Sequence, residues 1–374
     1  MRVAYVLLHA PGRSETFIVD ERAEVAAQGA EVTTVVLEGG AGGEPGAVEV
    51  DRLSARSAAV GRDAVALVAR RPQALRALMV GPLTFGLRFK LLAVARRLGH
   101  VDVVHAHFAY RSADAAEVLG RALGCGHSFT AHAHDIFVDN AELGRRTGAA
   151  RLVVTVCEYN RRWMAARYGA AAAAKIHVIP CSVRVDRPVA TTPAADPIVL
   201  AIARLVPKKG LDTLLDAFAK LAEPARLVIV GEGPLAGELA AQTEALGLTD
   251  RVAFVGGLDH EQAMTWYGRA AVFCLPCRIA PDGDRDSMPV VIKEAMAAGL
   301  PVVSTTEVAV PEMVDDGVTG LLVEPDDAAA LAGALDRLLA DPALRERMGA
   351  AGRDLVARRF DLRRQARRLL AIWG

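Results

Sequence analysis

With 374 residues the chain is long enough for two domains, and a hydrophobic fraction of 52% lets each bury a core of its own. Lysine plus arginine number 44 and aspartate plus glutamate 44, which speaks against a global pull towards nucleic acid or a membrane and leaves only local patches. Five cysteines, an odd and scattered set, argue against a disulfide framework and for a reducing cytoplasm.

The opening stretch, MRVAYVLLHAPGRSETF, holds an apolar run too short to span a membrane and lacks the cleavage site of a signal peptide. Strand and helix patterns then alternate almost throughout, which predicts parallel sheets with helices on both faces. Strands are expected near residues 3–8, 32–37, 103–105, 128–131, 153–156 and 177–180. In the second half they are expected near 198–203, 227–230, 252–255, 272–275, 302–304 and 321–323. Ligands of such sheets bind at the carboxyl ends of strands.

The first strand runs into HAPGRSETFIVDE, a turn in which Gly12 lets a ligand phosphate approach the backbone. Ser14 reads as a cap for a helix over 16–28 with Glu15 in its first turn, or as an acceptor-side contact. Two HxH pairs follow, His105 with His107 and His132 with His134, the second next to Asp135. Alternate residues of an extended chain share a face, so each pair has the spacing of two zinc ligands. Nothing in the sequence ties the pairs together, and histidines lining a polar cleft without metal are the expectation. Cys157 has no partner that would make it a nucleophile and reads as a small buried residue.

Residues 182–197, SVRVDRPVATTPAADP, are too rich in proline, threonine and aspartate for a core and read as a connector. The expected organisation is a first domain over 1–183, a linker over 184–197 and a second domain over 198–355. A C-terminal helix over 356–374 follows. Its FDLRRQARRLLAIWG and the earlier RFKLLAVARR (residues 88–97) are basic amphipathic stretches. Each is either a packed helix with a solvated face or a weak peripheral membrane contact.

In the second domain, Arg204 ends a strand and Lys209 precedes Gly210 and a helix. Two cations so placed make a diphosphate clamp, the arginine bidentate and the lysine a point charge. Lys208 is the neighbour expected to be replaceable. Cys274 and Cys277 form a single CxxC, weak as a zinc signal. Asp282-Gly-Asp284 spells DxD, a metal–nucleotide motif of other folds, read here as a polar loop. The stretch DGDRDSMPVVIKEAMAAGLPVVST then delivers a helix start to the surface, where backbone amides collect anions. With a start near Met288, Glu294 lies about 9 Å further along.

The run EAMAAGLPVVST, with Asp286 and Glu294 separated by seven residues, resembles the acidic signature of retaining glycosyltransferase family 4. RLVPKKGL resembles that family's pyrophosphate motif, and TAH (residues 130–132) its histidine at the donor sugar. RVAFVGGLDHEQ resembles the segment whose backbone cups the base. SETF and the DGDRD approach resemble a bacterial subset acting in exopolysaccharide assembly. The resemblance spans most of the chain and implies a GT-B fold: two Rossmann-like parallel-sheet α/β domains facing a cleft, with the C-terminal helix returning to the first.

It implies catalytic roles for His132, Arg204, Lys209 and Asp286. Donor contacts would come from Gly12, Arg204, Lys209, Val255, Asp286, Ser287, Met288, Val290 and Glu294, the last on the ribose. Acceptor-side candidates are Ser14, His107, His134 and Asp135. The implied reaction moves a hexose or N-acetylhexosamine from a nucleotide-diphosphate sugar, UDP first among carriers, to a hydroxyl of a glycan, lipid-linked glycan or small molecule. It retains configuration and uses no metal and no cofactor beyond that co-substrate. The partners are that sugar and a hydroxyl-bearing acceptor, not nucleic acid, in the cytoplasm or at the inner face of the membrane. The alternatives are a nucleotide-sugar epimerase of the same fold and a non-catalytic nucleotide-sugar-binding protein.

Overall fold

The computed structural model describes residues 1–12, 15–39, 46–138, 141–187 and 196–374. The chain divides into two compact units, Met1–Pro180 with Arg363–Gly374, and Cys181–Leu362.

Unit 1 holds β1 (Arg2–Leu7), β2 (Glu31–Val36), β3 (Val48–Glu49), β4 (Val103–His107), β5 (Gly126–Ala131), β6 (Leu152–Thr155) and β7 (Ile176–Val178). They form one sheet in the order β3-β2-β1-β4-β5-β6-β7, every pairing parallel. Strands covered on both faces need continuous apolar runs rather than alternation, and Val3 to Leu7 are all buried. Only β3, a Val-Glu pair with no apolar run around it, has no counterpart among the expected strands. One face packs Ala4, Val6, Leu91, Leu92, Leu119 and Phe129.

The other face packs Val3, Tyr5, Val103, Leu152 and Val154 against Ala366, Leu369 and Trp373 of the helix Leu362–Trp373. Those residues fall on one stripe of that helix, with Arg363, Arg364, Arg367 and Arg368 off it. The basic C-terminal stretch is therefore a packed helix. It also begins later than expected. A preceding helix, Pro342–Arg359, ends at Phe360, whose carbonyl takes the Val183 amide at 3.0 Å, and the Leu362 amide returns to the Val183 carbonyl at 3.0 Å. That pairing diverts the backbone hydrogen bonds a single helix would need. It also explains why Cys181–Val183 group with unit 2 rather than with the first 180 residues. Most of the proposed linker, residues 188–195, lies outside the described residues.

Unit 2 holds β8 (Ile198–Ile202), β9 (Arg226–Val230), β10 (Val252–Gly256), β11 (Val272–Leu275), β12 (Val302–Thr305) and β13 (Gly320–Val323) in the order β10-β9-β8-β11-β12-β13, again all parallel. Each sheet reverses direction once, between β1 and β4 in unit 1 and between β8 and β11 in unit 2. At such a switch point the connections leave to opposite sides and open a crevice beyond the strand ends.

Two glycines shape the crevice of unit 2. Gly231 follows β9 at φ +144°, where a Cβ would meet the Ala203 carbonyl oxygen at 1.8 Å. Gly210 follows Lys209 at φ +62°, where a Cβ would lie 2.0 Å from the Pro276 carbonyl oxygen. Gly210→Ala is expected to destabilise the fold by more than the about 1–3 kcal/mol of a left-handed backbone alone, because the clash is with main chain. Urea unfolding of the purified variant measures it, and an unchanged midpoint would refute the close packing.

Candidate functional site

The unit 2 crevice collects the charges that the sequence singles out. After β8, Arg204 stands exposed, and a 3-10 turn over Pro207–Lys209 carries Lys208 and Lys209 onto the end of β11. After β11, the loop through Asp284 and Asp286 comes back to meet them. Lys209 Nζ donates to Asp286 Oδ2. Lys208 Nζ lies 3.0 Å from Asp284 Oδ2 and 3.5 Å from Asp286 Oδ1. Burial on its own would raise the Asp286 carboxyl, but Lys209, Lys208 and then Arg204 outweigh it and hold the group below its usual range. Lys208 is thus no bystander. It is 5% exposed and paired, contrary to its expected role as a replaceable neighbour.

The DxD is a turn. The Asp284 amide donates to Asp282 Oδ1 at 3.0 Å, while the Asp284 side chain serves Lys208. Cys277 sits with Sγ 3.9 Å from Asp286 Oδ2, and burial pushes its thiol up to about 12. Cys274 is buried in β11 and is held protonated in the same way.

The signature helix spans Val290–Ala297 with Pro289 as its N-cap, two residues later than the expected start. Proline's fixed φ suits the entry but gives no N–H, so the amides without an intrahelical partner are those of Val290, Val291 and Ile292. Ser287 and Met288 are buried in the approach to the helix. Glu294 is not sealed in the core, since its side chain keeps 13% exposure. Its carboxylate accepts the Tyr267 hydroxyl at 2.9 Å and has His260 Nδ1 at 3.6 Å. Neither residue is singled out by the sequence reading. His260 opens the helix His260–Tyr267 behind a capping box from Asp259 and Gln262, and the capping pattern masks it. Val255 lies half-buried in β10, where the register against β9 shifts between Phe254 and Gly256.

Unit 1 presents a different chemistry at its own crevice. His107 ends β4, and His132 follows β5. His107 Nδ1 faces His132 Nε2 at 3.3 Å, and His107 Nε2 faces Glu21 Oε1 at 3.1 Å. His105 has both ring nitrogens on hydroxyls, Ser128 at 2.8 Å and Thr130 at 3.0 Å. Glu21, His105 and His107 place three ligand-type atoms within 4.8 Å of one another, the one such group among the described residues. Both nitrogens of each histidine already have hydrogen-bond partners, so the set is complete as a network. The two HxH pairs meet through His107 and His132, while His134 turns to the Tyr110 hydroxyl at 2.6 Å.

Asp135 is fully buried and holds two backbone amides, Ala109 at 2.7 Å and His132 at 2.9 Å, which ties the ends of β4 and β5 together. Burial pushes its carboxyl up, against those amides, which favour the charged form. His132 is held neutral, its pKa well below the ordinary value, first by burial and then by His107. Cys157 is buried and caps the helix Glu158–Tyr168 through the Asn160 amide at 3.5 Å, a structural duty.

Gly12 has its amide on Glu15 Oε2 at 2.9 Å, a carboxylate where a phosphate is expected. Glu15 occupies the cap position of the helix Thr16–Ala27 rather than its first turn, and Ser14 lies outside the described residues. Glu21 carries a signal that the sequence reading passes over. It stands four residues after Phe17 on one helix face, and Phe17 lies 5.1 Å from His132, centroid to centroid.

Two family models match the chain. One described as Glycosyltransferase Family 4 covers residues 14–187, and one described as Glycosyl transferases group 1 covers residues 183–355. A GDP-mannose-dependent alpha-(1-6)-phosphatidylinositol monomannoside mannosyltransferase of Mycolicibacterium smegmatis is 35% identical over 60% of this chain and 63% of its own length. The amylovoran biosynthesis glycosyltransferase AmsK of Erwinia amylovora is 38% identical over 37% of this chain and 35% of its own. The chain thus spans less than two thirds of the length of these curated relatives. Among solved structures, Anabaena HepE in complex with UDP superposes with a TM-score of 0.75 at 17% identity, over 100% of this chain and 99% of that one. The paired Rossmann-like sheets are those of the GT-B fold. With both matches read along one chain, the protein belongs to glycosyltransferase family 4, of the bacterial type that includes exopolysaccharide enzymes.

Proposed function

We propose that the chain transfers a glycosyl group from a nucleoside-diphosphate sugar to a hydroxyl acceptor, with retention of configuration and without a metal. The observation that carries this is the Arg204, Lys208, Lys209 and Asp286 cluster at the unit 2 switch point, beside the start of the Val290–Ala297 helix. The bond that breaks leaves a diphosphate, so the barrier falls as its developing charge is met by fixed cations and amides. Lys209 has three N–H donors. One is spent on Asp286, which aims the ammonium and leaves two for phosphate oxygens. Glu294, backed by Tyr267, suits a ribose diol, since a carboxylate accepts from two hydroxyls at once. Retention is what the resemblance to the acidic signature of retaining family 4 enzymes supports. The phosphate that leaves takes the acceptor proton on the face it departs from.

UDP is the carrier expected from the sequence, while several relatives are named for GDP-mannose. Titration calorimetry with UDP and GDP, repeated in EDTA, tests the reading. Binding of one nucleotide at micromolar affinity, unchanged by the chelator, is expected. Absence of binding by either would overturn it. Incubating a labelled donor without acceptor separates the transferase from an epimerase, which would return an epimerised nucleotide sugar.

A lipid-linked acceptor at an anionic membrane surface is favoured by one patch of unit 1. Residues 64–101 contain seven Lys and Arg and no Asp or Glu, in a chain of zero net charge. The same stretch exposes Leu75 at 51%, Met79 at 84% and Phe85 at 65%. The helix Phe85–Leu98 buries Leu91–Ala95, and Arg88 spends its guanidinium on the carbonyls of Leu78 and Gly81. The membrane-facing element is thus the segment before residues 88–97. Apolar side chains beside a cationic surface are what a headgroup boundary accepts. Co-sedimentation is expected with phosphatidylglycerol vesicles, weaker in high salt and lost in a Leu75→Ser, Met79→Ser, Phe85→Ser variant. Equal binding to phosphatidylcholine would refute the electrostatic part.

A further inference from the structure

Arg278 stands just beyond β11 and is turned to the opposite lip of the unit 2 crevice. Its amide donates to the Lys208 carbonyl at 3.0 Å, and its Nε to the Pro207 carbonyl at 2.9 Å. Main chain and side chain of one residue thus hold two successive carbonyls of the 3-10 turn Pro207–Lys209. Nη1 donates to Asp326 Oδ1 at 2.9 Å and lies 2.9 Å from Asp212 Oδ2. Asp212 is in the first turn of the helix Leu211–Phe218, which follows the 3-10 turn directly. Asp326 follows β13 in the left-handed region at φ +61°, and it also accepts the Thr213 hydroxyl at 3.4 Å. A residue with a Cβ stays in that region where its contacts hold it. The segments that follow β8, β11 and β13 therefore meet on one guanidinium.

Two kinds of tie join the lips of the crevice. Lys208 and Lys209 reach across to Asp284 and Asp286 through the ammonium groups that a diphosphate would claim. Each of these ties weakens as phosphate oxygens take their share of the donors. The ties of Arg278 use neither ammonium. Nor is Arg278 suited to receive the phosphate itself. Its single charge stands between two carboxylates, a net negative site that disfavours a further anion. A lysine would be a poorer fit, since its donors share one atom, whereas the guanidinium meets the carbonyl from Nε and the carboxylates from Nη1.

We infer that Arg278 is a positioning residue: it holds the turn that carries Lys208 and Lys209 in place while those lysines exchange carboxylate partners for the phosphates of a nucleoside diphosphate. The phosphate clause rests on the transferase reading. The hold on the turn is a property of the free protein. Its consequence is selective. Loosening the turn by about 1 Å spoils the aim of the ammonium groups and leaves untouched the nucleoside end of the ligand, placed at Glu294 by that reading.

Arg278→Met is expected to weaken UDP or GDP, whichever the wild type binds, about 10-fold, the size of one charge-assisted hydrogen bond. Uridine or guanosine, titrated by NMR, should bind the variant as it binds the wild type. Arg278→Lys should fall between the two, and it carries the comparison alone where Arg278→Met does not fold. kcat/KM for the donor should drop by up to about 10²-fold in Arg278→Met, as for a misplacement of about 1 Å. Equal losses for nucleoside and nucleoside diphosphate, or none for either, would overturn the inference. Amide exchange on the ligand-free protein reads the hold directly. The Lys209 and Gly210 amides bond the Val206 and Pro207 carbonyls at 3.1 and 3.2 Å, and in Arg278→Lys they are expected to exchange faster. Exchange as slow as in the wild type would equally overturn the inference. A wild type that binds neither UDP nor GDP ends the transferase reading, while the exchange rates still decide whether Arg278 holds the turn.

Discussion

Lys209→Ala is expected to lower kcat/KM about 10²–10³-fold, roughly 2.7–4 kcal/mol of transition-state stabilisation, as when one preorganised donor is removed from a developing anion. The effect is double. The variant loses a phosphate contact, and it leaves Asp286 with Lys208 as its remaining ammonium, 3.5 Å away, so an anion faces the incoming diphosphate. Lys208→Ala is expected to fall between Lys209→Ala and wild type, and to lose stability as well, because Asp284 then loses its ammonium and Asp286 keeps Lys209 alone. A fair comparison is Lys220→Ala, since Lys220 is exposed and bonds only a carbonyl of its own helix region, that of Asp216, at 3.1 Å. Steady-state kinetics on the three variants decide the matter. Equal, mild losses in all of them would remove the clamp from the mechanism.

Arg146→Met is expected to cost about 3–5 kcal/mol of stability, the range for breaking a buried ion pair by removing one partner. Asp114 is fully buried and takes Arg146 Nε at 3.0 Å and Arg146 Nη2 at 2.8 Å. Arg145 also reaches Asp114, but from a site with 36% side-chain exposure and while bound to Glu117 and Glu142. It cannot replace the buried partner. Arg146 also donates to the Ala109 carbonyl at 2.6 Å, next to Phe108, which sits in the left-handed region at φ +65°. A residue with a Cβ stays there only where its surroundings hold it. The variant should therefore lose kcat under conditions where it is still folded, because the backbone just after His107 slackens. Urea midpoints measure the first effect. Combining Arg146→Met with Asp114→Leu should recover part of the loss, and no recovery would mean that packing rather than charge dominates.

The sheets were legible because parallel strands covered on both faces write unbroken runs such as RVAYVL and VVST, and the described strands other than β3 start within two residues of the expected positions. Arg204, Lys209, Asp286 and Glu294 were legible because their spacing matches a family pattern. What was hidden is what each of them touches. Lys208 and Lys209 read alike in sequence, and a 3-10 turn rather than a longer helix puts both against the acidic loop. Tyr267 stands 27 residues from Glu294 and meets it only through the fold. Glu21 lies 86 residues from His107. Pairings at such separations leave no periodic trace. The helix start slipped by two residues because serine and proline are both favoured near a terminus, and only the backbone decides which is outside.

Residues 363–374 complete the unit that residues 1–180 begin, and this reverses the usual order of assembly on the ribosome. Unit 2 is an uninterrupted segment and has all its strands as soon as residue 362 is made. The earlier-made sheet must wait, with Val3, Tyr5, Val103 and Leu152 covered only in part by Val25 and Ile179, until Ala366, Leu369 and Trp373 arrive to complete the cluster. A fragment cut after residue 180 keeps that apolar face incompletely covered and is the form of this chain most prone to aggregate.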